Sequence, residues 1–288
     1  MLKNKAFRIL LYILLPVILL VVLYKIFGVA DLRTETAKIA INEDRAKTLI
    51  KEMGTAHGIE NWDGVKTYQV AFEDEFFGII GEQSHPYAES KVSFNLNYIT
   101  DSFDGRLDFT SGAKKGESWG IQAWETYLKK GDGIVNFKDD ANVGFWVPTY
   151  QYFIEFPMRI QKANAFNYAG EKEVEGILCE GVMASWNTTE PQSGIDHYLI
   201  WIDKDTKHIV KIEYTIREMY RFLTGAASFK NYKEYDGLLL PSNMPVESNI
   251  VPVGLLHEMR IKDFKPNLIS LESLRPNASL PVLGDSKE

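Results

Sequence analysis

Apolar and polar side chains alternate at every second residue along most of this 288-residue chain. The alternation is clearest at residues 92–98, where Val, Phe, Leu and Tyr alternate with Ser and Asn, and again at residues 210–216. A period of two places the apolar side chains on one face of a β-strand. The sequence therefore predicts many short antiparallel strands, each with one buried face.

Turn residues separate the predicted strands at hairpin spacing. The strands at 198–202 and 208–216 flank the polar residues 203–207, and Asp236-Gly237 joins the strands at 229–235 and 238–241. Asp-Gly is a dipeptide that tight hairpin turns favour. Residues 119–127 are predicted as a single strand, and residues 246–250 and 258–264 as the final two.

Two helices are predicted to interrupt the strands. Residues 34–54 carry an apolar stripe at helical spacing, and Pro148 suits the first turn of a helix that runs to about Glu155. Residues 163–170 are predicted as a loop. The apolar side of the strands needs cover, which the helices can supply. We therefore predict a mostly β (α+β) fold, a strongly curved antiparallel sheet or half-barrel wrapped over helices.

The first thirty residues differ from the rest. Residues 7–29 are almost wholly apolar; Lys3, Lys5 and Arg8 precede the uncharged stretch at 9–23, and Lys25 lies near the end. Such a segment is long enough to cross ~30 Å of hydrocarbon as a helix, and the preceding positive charges keep the N-terminus cytoplasmic. Residues 1–30 are thus predicted as a single-pass inner-membrane anchor that leaves the body in the periplasm. The alternative is a signal peptide cleaved before Asp31.

Charge and cysteine content exclude several classes of protein. The leader holds four positive charges and no acidic residue, so the body carries a net charge of −11 against −7 for the whole chain. An acidic body argues against nucleic acid or anionic lipid headgroups as the main partner. Cys179, the single cysteine, excludes an intramolecular disulfide and a cysteine-rich metal site. The predicted body spans residues 31–265, and residues 266–288 are predicted as a polar tail.

Four segments resemble the lipoprotein-sorting (LolA/LolB-like) carrier superfamily, in particular its Bacteroidota-type branch. They are Ala56-His57-Gly58 with Trp62, Gly176 to Val182 around Cys179, Tyr198 to Asp203 with Thr206, and Tyr232 to Pro241 around Asp236-Gly237. The resemblance implies a half-barrel with helices on its concave side, and often a hydrophobic cavity for acyl chains. The aromatic insert at 145–156 departs from the lipoprotein carriers. The resemblance therefore supports the fold more strongly than a role in lipoprotein transport.

The aromatic segment 145–156 is the main candidate for a binding site. We predict that it lines an apolar pocket whose walls are Trp146, Phe153, Phe156, Trp186, Tyr214 and Ile216. The alternative is that this segment is ordinary core. The corresponding functions are a non-enzymatic, membrane-tethered binder or carrier of a lipid or other hydrophobic ligand, or a structural or interaction module of a cell-envelope complex with a filled core.

No pattern in the sequence predicts catalysis, a metal or a cofactor. Glu73, Asp74 and Glu75, with Glu82 nearby, lack the spacing of a calcium loop and are predicted to lie in a solvated loop. No serine stands in a Gly-x-Ser-x-Gly setting. The histidines form no ligand-spaced pair; they are His57, His85, His197, His208 and His257.

Overall fold

The computed structural model describes residues 12, 14–20, 23, 28–131, 133–250 and 254–284. Residues 14–20 are helical, and their apolar side chains are exposed. Within the described residues, no helix is both long enough and apolar enough to cross a membrane. Most of the anchor predicted for residues 1–30 lies outside the described residues.

An antiparallel sheet dominates the fold. Its strands are β1 (Thr67–Phe76), β2 (Lys91–Ile99), β3 (Gly105–Phe109), β4 (Ser118–Gln122), β5 (Glu125–Lys129), β6 (Val135–Phe137), β7 (Ala165–Val174), β8 (Ile177–Ser185), β9 (His197–Asp203), β10 (Ile209–Thr215), β11 (Thr224–Ser228), β12 (Lys230–Tyr235), β13 (Leu238–Ser248) and β14 (His257–Pro266). They pair in the order β6-β5-β4-β3-β2-β1-β14-β13-β11-β10-β9-β8-β7, and β12 pairs with β13 beside this path. The predicted curved antiparallel sheet is confirmed.

Helices pack against this sheet. They are α1 (Glu35–Ile39), α2 (Glu43–Ala56), α3 (Gly78–Gln83), α4 (Ala141–Ile154), α5 (Phe156–Arg159) and α6 (Leu271–Leu274), with 3-10 turns at Ile59–Gly64 and Ile160–Lys162. The buried residues of α2 and α4 pack in one hydrophobic core with side chains from both halves of the sheet. Burial of this apolar surface is what holds the layers together.

The helix predicted at residues 34–54 is wrong in one respect, because it is two helices. Ala40 is extended, with φ −136° and ψ 145°, and the side chain of Asn42 caps α2 by accepting from the backbone N–H of Arg45 at 3.2 Å. The Asn167 amide donates to the carbonyls of Ala37 and Ala40 at 3.0 and 3.1 Å. These bonds satisfy the end of α1, so the chain can turn there.

The middle of the chain corrects three further predictions. Pro148 lies inside α4 rather than in its first turn, because Asp140 caps the helix earlier, accepting from the N–H groups of Asn142 and Val143. Residues 163–170 were predicted as a loop, but from Ala165 onward they belong to strand β7. Residues 119–127 are two strands, since Ala123 and Trp124 adopt φ of 50° and 64° and make a tight turn. Such a turn usually carries Asn or Gly, so these residues gave no turn signal.

Both faces of the sheet are covered at β7–β10. Cys179, Met183 and Trp201 form a second, smaller core on the outer face, with Ala37 of α1 and Leu32 packed against it. The Thr34 hydroxyl donates to the carbonyl of Ala169 at 2.7 Å. The segment that follows the leader is therefore fixed along the outside of this part of the sheet.

The described part of the predicted tail also packs on the body. Leu274 of α6 is fully buried, and Arg275 pairs with Asp104. The side chain of Gln122 and the backbone of Asn277 exchange two hydrogen bonds, of 2.6 and 3.0 Å. This segment thus covers the outer side of the sheet near β3 and β4.

Candidate functional site: an apolar cavity beneath α4

A cavity of about 220 Å³ lies between α4 and the sheet. Trp146, Thr149 and Phe153 of α4 line one side of it, while Tyr198 of β9 and Tyr214 of β10 line the other. Val246 of β13 and Met259 of β14 complete the sheet side. The walls are therefore mainly aromatic and aliphatic, as in sites that bind apolar molecules.

Four of the six residues predicted as pocket walls line this cavity. They are Trp146, Phe153, Tyr214 and Ile216, and the ring centroids of Phe153 and Tyr214 lie 5.3 Å apart. Ligand binding by these residues stays a prediction.

Phe156 and Trp186 lie elsewhere. Phe156 follows the break between α4 and α5, is fully buried, and contacts Tyr152 and Phe229 within the core. Trp186 is half-buried just after β8, with its ring 6.3 Å from that of Tyr198. These two residues therefore do not line the cavity. Alternation and helical spacing do not show where a helix breaks or a strand ends.

The two interpretations of the aromatic segment apply to different sides of α4. Val143, Val147, Tyr150 and Ile154 are buried in the main core. Trp146, Thr149 and Phe153 face the cavity. The helix therefore supplies both ordinary core and the cavity wall.

A buried carboxylate adjoins the cavity. Asp74 on β1 is fully buried, and its Oδ1 accepts from Nδ1 of His257 at 2.8 Å. His257 begins β14, lines the cavity and stacks on Phe76 with ring centroids 5.0 Å apart. The carboxylate fixes the orientation of this imidazole, because Nδ1 carries the proton that it donates.

Two tyrosines extend the hydrogen bonds of Asp74 into the core. The Tyr150 hydroxyl donates to Asp74 Oδ2 at 2.9 Å, and the hydroxyls of Tyr87 and Tyr150 lie 3.0 Å apart. Burial raises the pKa of both phenols well above the usual value, so both stay protonated and can donate. Asp74 thus has a partner on each carboxylate oxygen, as a buried charge requires.

The solvated loop predicted for residues 73–75 was wrong. These residues lie on β1, where Glu73 and Glu75 face outward and accept from Arg260 at 2.9 and 2.6 Å. Asp74 points to the opposite, buried face, between Phe72 and Phe76. A carboxylate at an apolar position of an alternating strand was the signal that could have found this site.

Three segments border the mouth of the cavity. Ser84 follows α3, Glu218 and Met219 precede β11, and Ile250 and Leu256 lie between β13 and β14. Asp196 also lines the cavity and accepts from the Thr215 hydroxyl at 2.9 Å and from the N–H of Arg217 at 2.8 Å. Burial raises the pKa of Asp196. The open end of the cavity therefore combines loop residues with one partly buried acid.

A second concave region is wider but polar. A groove of about 620 Å³ on the outer face is lined by Lys172, Lys211 and Glu213, among others. Lys211 pairs there with Glu247 at 2.8 Å. The described part of the chain holds no group of three His, Cys, Asp or Glu side chains that could bind a metal. The cavity beneath α4 is therefore the stronger candidate for an apolar ligand.

Comparison with solved structures identifies the fold. The chain is similar to a domain from Vibrio parahaemolyticus described as an outer membrane lipoprotein-sorting protein, with a TM-score of 0.51 at 14% identity over 82% of this chain and 98% of the other. A DUF1329 family protein from Desulfovibrio piger gives a TM-score of 0.51 at 13% identity over 81% and 97%. A LolA superfamily protein from Nitrosomonas europaea gives 0.50 at 10% identity over 78% and 94%.

The class that these likenesses define is the lipoprotein-sorting, LolA-like fold. The resemblance seen in the sequence is therefore confirmed at the level of the superfamily fold, whereas the Bacteroidota-type branch stays a prediction. No family model and no curated protein matches the sequence.

Proposed function

We propose that this protein binds or carries a hydrophobic ligand, such as an acyl chain, in the cavity beneath α4. The observation that carries the proposal is the cavity itself, which lies between an aromatic helix and the sheet. Proteins of the same fold that are described as lipoprotein-sorting or LolA-like support this reading by analogy.

The volume limits the size of what is bound. An apolar cavity of about 150 Å³ holds benzene, so the 220 Å³ here scales to roughly nine carbon atoms. Each methylene transferred from water contributes about 0.8 kcal/mol. The cavity therefore suits one segment of a chain, and the rest of the ligand would extend through the mouth.

The proposed role is non-enzymatic. His257, the histidine at the cavity, bonds to Asp74, while the hydroxyl of Ser84 at the mouth donates to the carbonyl of Gly81 at 2.8 Å. A hydrolytic triad would need a nucleophilic side chain that is hydrogen-bonded to the imidazole. Binding needs only the cavity and its mouth.

The proposal includes the location of the protein. The apolar leader would hold the domain to the inner membrane by a single span, with the N-terminus in the cytoplasm and the cavity in the periplasm. Support comes from the length of the apolar segment at 7–29 and from the basic residues before it. A tether of this kind would keep the cavity close to a source of lipid.

A second candidate is an interaction module of a cell-envelope complex. The cavity volume favours it, because 220 Å³ lies below the ~300–1,000 Å³ typical of sites for drug-sized ligands. In that case the cavity is a packing defect, and the exposed apolar residues of the loops contact a protein.

Photo-crosslinking distinguishes the two functions. The full-length chain in nanodiscs would be labelled with a fatty acid that carries a diazirine, and the labelled peptides mapped by mass spectrometry. Binding in the cavity predicts label on α4 and β10. Label confined to the leader would contradict the proposal.

Thr149 offers a matched pair of variants. Its side chain faces the cavity, and its hydroxyl donates to the carbonyl of Phe145 at 2.6 Å. Thr149→Trp fills the space and should abolish labelling of α4. Thr149→Val keeps the volume and shape and should label like the original chain. Equal labelling of the two variants would show that the cavity is not the site.

A further inference from the structure

Exposed apolar side chains lie on the three segments that border the mouth of the cavity. Ile79 is 74% exposed, Met219 47%, Tyr220 59% and Ile250 41%, and Ile80 beside them is 39% exposed. We call these five residues the mouth rim. A concentration of exposed apolar side chains at one place marks an interaction surface, whereas single ones are ordinary.

Hydrogen bonds tie the three segments of the mouth rim together. The N–H of Phe77, which precedes α3, donates to the carbonyl of Leu256 at 3.0 Å. The Asn249 amide donates to the carbonyl of Phe222 at 2.7 Å, and Asn249 Oδ1 accepts from the N–H of Thr224 at 3.1 Å. The rim is therefore one connected surface rather than three separate loops.

The apolar leader leaves the domain at this same surface. The N–H of Ala30 donates to the carbonyl of Arg221 at 2.9 Å, and the guanidinium of Arg217 donates to the carbonyl of Ala30 at 2.6 Å. Arg217 also donates to the carbonyl of Arg221. Two hydrogen bonds to Ala30 thus fix the end of the leader beside Met219 and Tyr220, and the third holds Arg217 in place.

We propose that the mouth rim docks on the lipid bilayer that holds the leader, so that the cavity opens directly onto the membrane surface. This inference rests on the proposed tether and adds to it a defined orientation and a defined contact. An anchor that only tethers leaves the domain free to turn. An anchor that ends beside Met219 and Tyr220 brings the mouth rim to the interface.

The chemistry of the rim suits the interfacial zone of a membrane. Transfer of isoleucine and methionine side chains out of water is favourable. A tyrosine places its ring among the headgroups with its hydroxyl in water. A ligand chain held in the cavity could then pass between the bilayer and the protein without crossing water. The rim and the cavity would act as one path.

Single-cysteine labelling tests the docking directly. Cys179 is buried and is first replaced by Cys179→Ala in the full-length chain. Ile79→Cys, Met219→Cys and Ile250→Cys then carry an environment-sensitive nitrobenzoxadiazole dye in proteoliposomes of phosphatidylethanolamine and phosphatidylglycerol. Docking predicts a blue-shifted dye emission at all three positions and quenching by nitroxide groups placed near the lipid headgroups.

Two exposed apolar positions at the other end of the strands are matched controls. Ile177, 40% exposed, begins β8, and Leu268, 56% exposed, follows the end of β14 that is opposite the cavity. Dyes at Ile177→Cys and Leu268→Cys should show neither the shift nor the quenching.

The outcomes separate the docking from the tether. Failure of the full-length chain to float with the liposomes would overturn the tether and the docking together. Flotation without quenching at the rim would overturn the docking alone. A blue shift without quenching by lipid nitroxide would show that a protein surface, such as a second copy of the chain, covers the rim instead.

Discussion

Glu155 and Asp74 are both fully buried carboxylates that contact α4, yet they have different partners. Glu155, directly after α4, accepts from Arg159 at 2.8 Å and from Tyr68 and Gln151 at 2.8 and 2.9 Å. Asp74 accepts from His257 and from Tyr150. Glu155 is thus paired with a guanidinium, and Asp74 with an imidazole and a phenol.

The difference in partners matches a difference in place. The side chains of Glu155 and Arg159 are 0% and 2% exposed and are sealed in the core, where they join α4 and α5 to the sheet. His257 lines the cavity. We infer that the Glu155 cluster serves the fold, while the Asp74 pair serves the cavity by fixing one of its walls. Four measurements would break or sharpen this comparison.

The largest expected effect is at Glu155. Glu155→Gln leaves the guanidinium of Arg159 buried without its counter-charge, which we expect to cost about 3–5 kcal/mol of unfolding free energy. Urea unfolding followed by tryptophan fluorescence measures it. As a control, the double variant Glu155→Leu with Arg159→Met should cost less than Glu155→Gln alone. A loss below 1 kcal/mol for the single variant would show that the pair is not structural.

A smaller loss is expected at Asp74. Asp74→Asn keeps the size but replaces one carboxylate oxygen with an NH2 group, so only one of Tyr150 and His257 keeps an acceptor, which we expect to cost about 2–3 kcal/mol. The same variant should also weaken fatty-acid labelling of α4, because His257 loses its fixed orientation. Glu155→Gln, in molecules that remain folded, should label normally. Identical labelling of the two variants would remove the distinction between them.

A histidine away from the cavity gives the fold its own pH response. Burial lowers the pKa of His57 to about 4, and the imidazole donates from Nδ1 to the carbonyl of Met53 at 2.8 Å. The unfolded chain, with a pKa near 6.5, binds this proton more readily. The contribution of His57 to the unfolding free energy is therefore fully present above pH 6.5 and is lost as the pH falls towards 4. At pH 5 the loss is about 2 kcal/mol.

The variant His57→Asn isolates this contribution. Between pH 7 and pH 5, the unfolding free energy of this variant should fall by about 2 kcal/mol less than that of the original chain, whatever its value at pH 7. Urea unfolding at both pH values measures the difference. Parallel pH curves for the two proteins would contradict the neutral, buried state of His57.

The smallest effect is expected at Glu73, which precedes Asp74 in the sequence but lies on the outward face of β1. Its pair with Arg260 is partly exposed, and Glu75 and Glu258 share the same guanidinium. Glu73→Gln should therefore cost less than about 1 kcal/mol and leave labelling unchanged. A cost equal to that of Asp74→Asn would mean that a carboxylate on the buried face of β1 contributes no more to stability than one on the outward face.

Much of the fold could be predicted from the sequence, because alternation is a local property. The hairpin of β9 and β10 and the turn at Asp236-Gly237 between β12 and β13 lie where their residues indicated. The errors arose where tertiary contacts override local signals. The break after α1 depends on Asn167, which is 125 residues from Asn42, and no local pattern could show it.

The site was only partly predictable. Aromatic residues at 145–156 indicated a helix against the sheet, and four wall residues followed from alternation together with the resemblance to LolA-like carriers. The Asp74–His257 pair joins residues 183 positions apart, so its geometry needs the β1–β14 pairing. The mouth rim likewise depends on loops that meet only in the folded chain.

Native mass spectrometry of the full-length chain, released from nanodiscs, tests the central claim most directly. The account predicts that the original chain and Thr149→Val each retain one hydrophobic molecule, and that Thr149→Trp retains none. An original chain that carries no bound molecule, or a Thr149→Trp variant that carries as much, would contradict the cavity beneath α4 as a binding site.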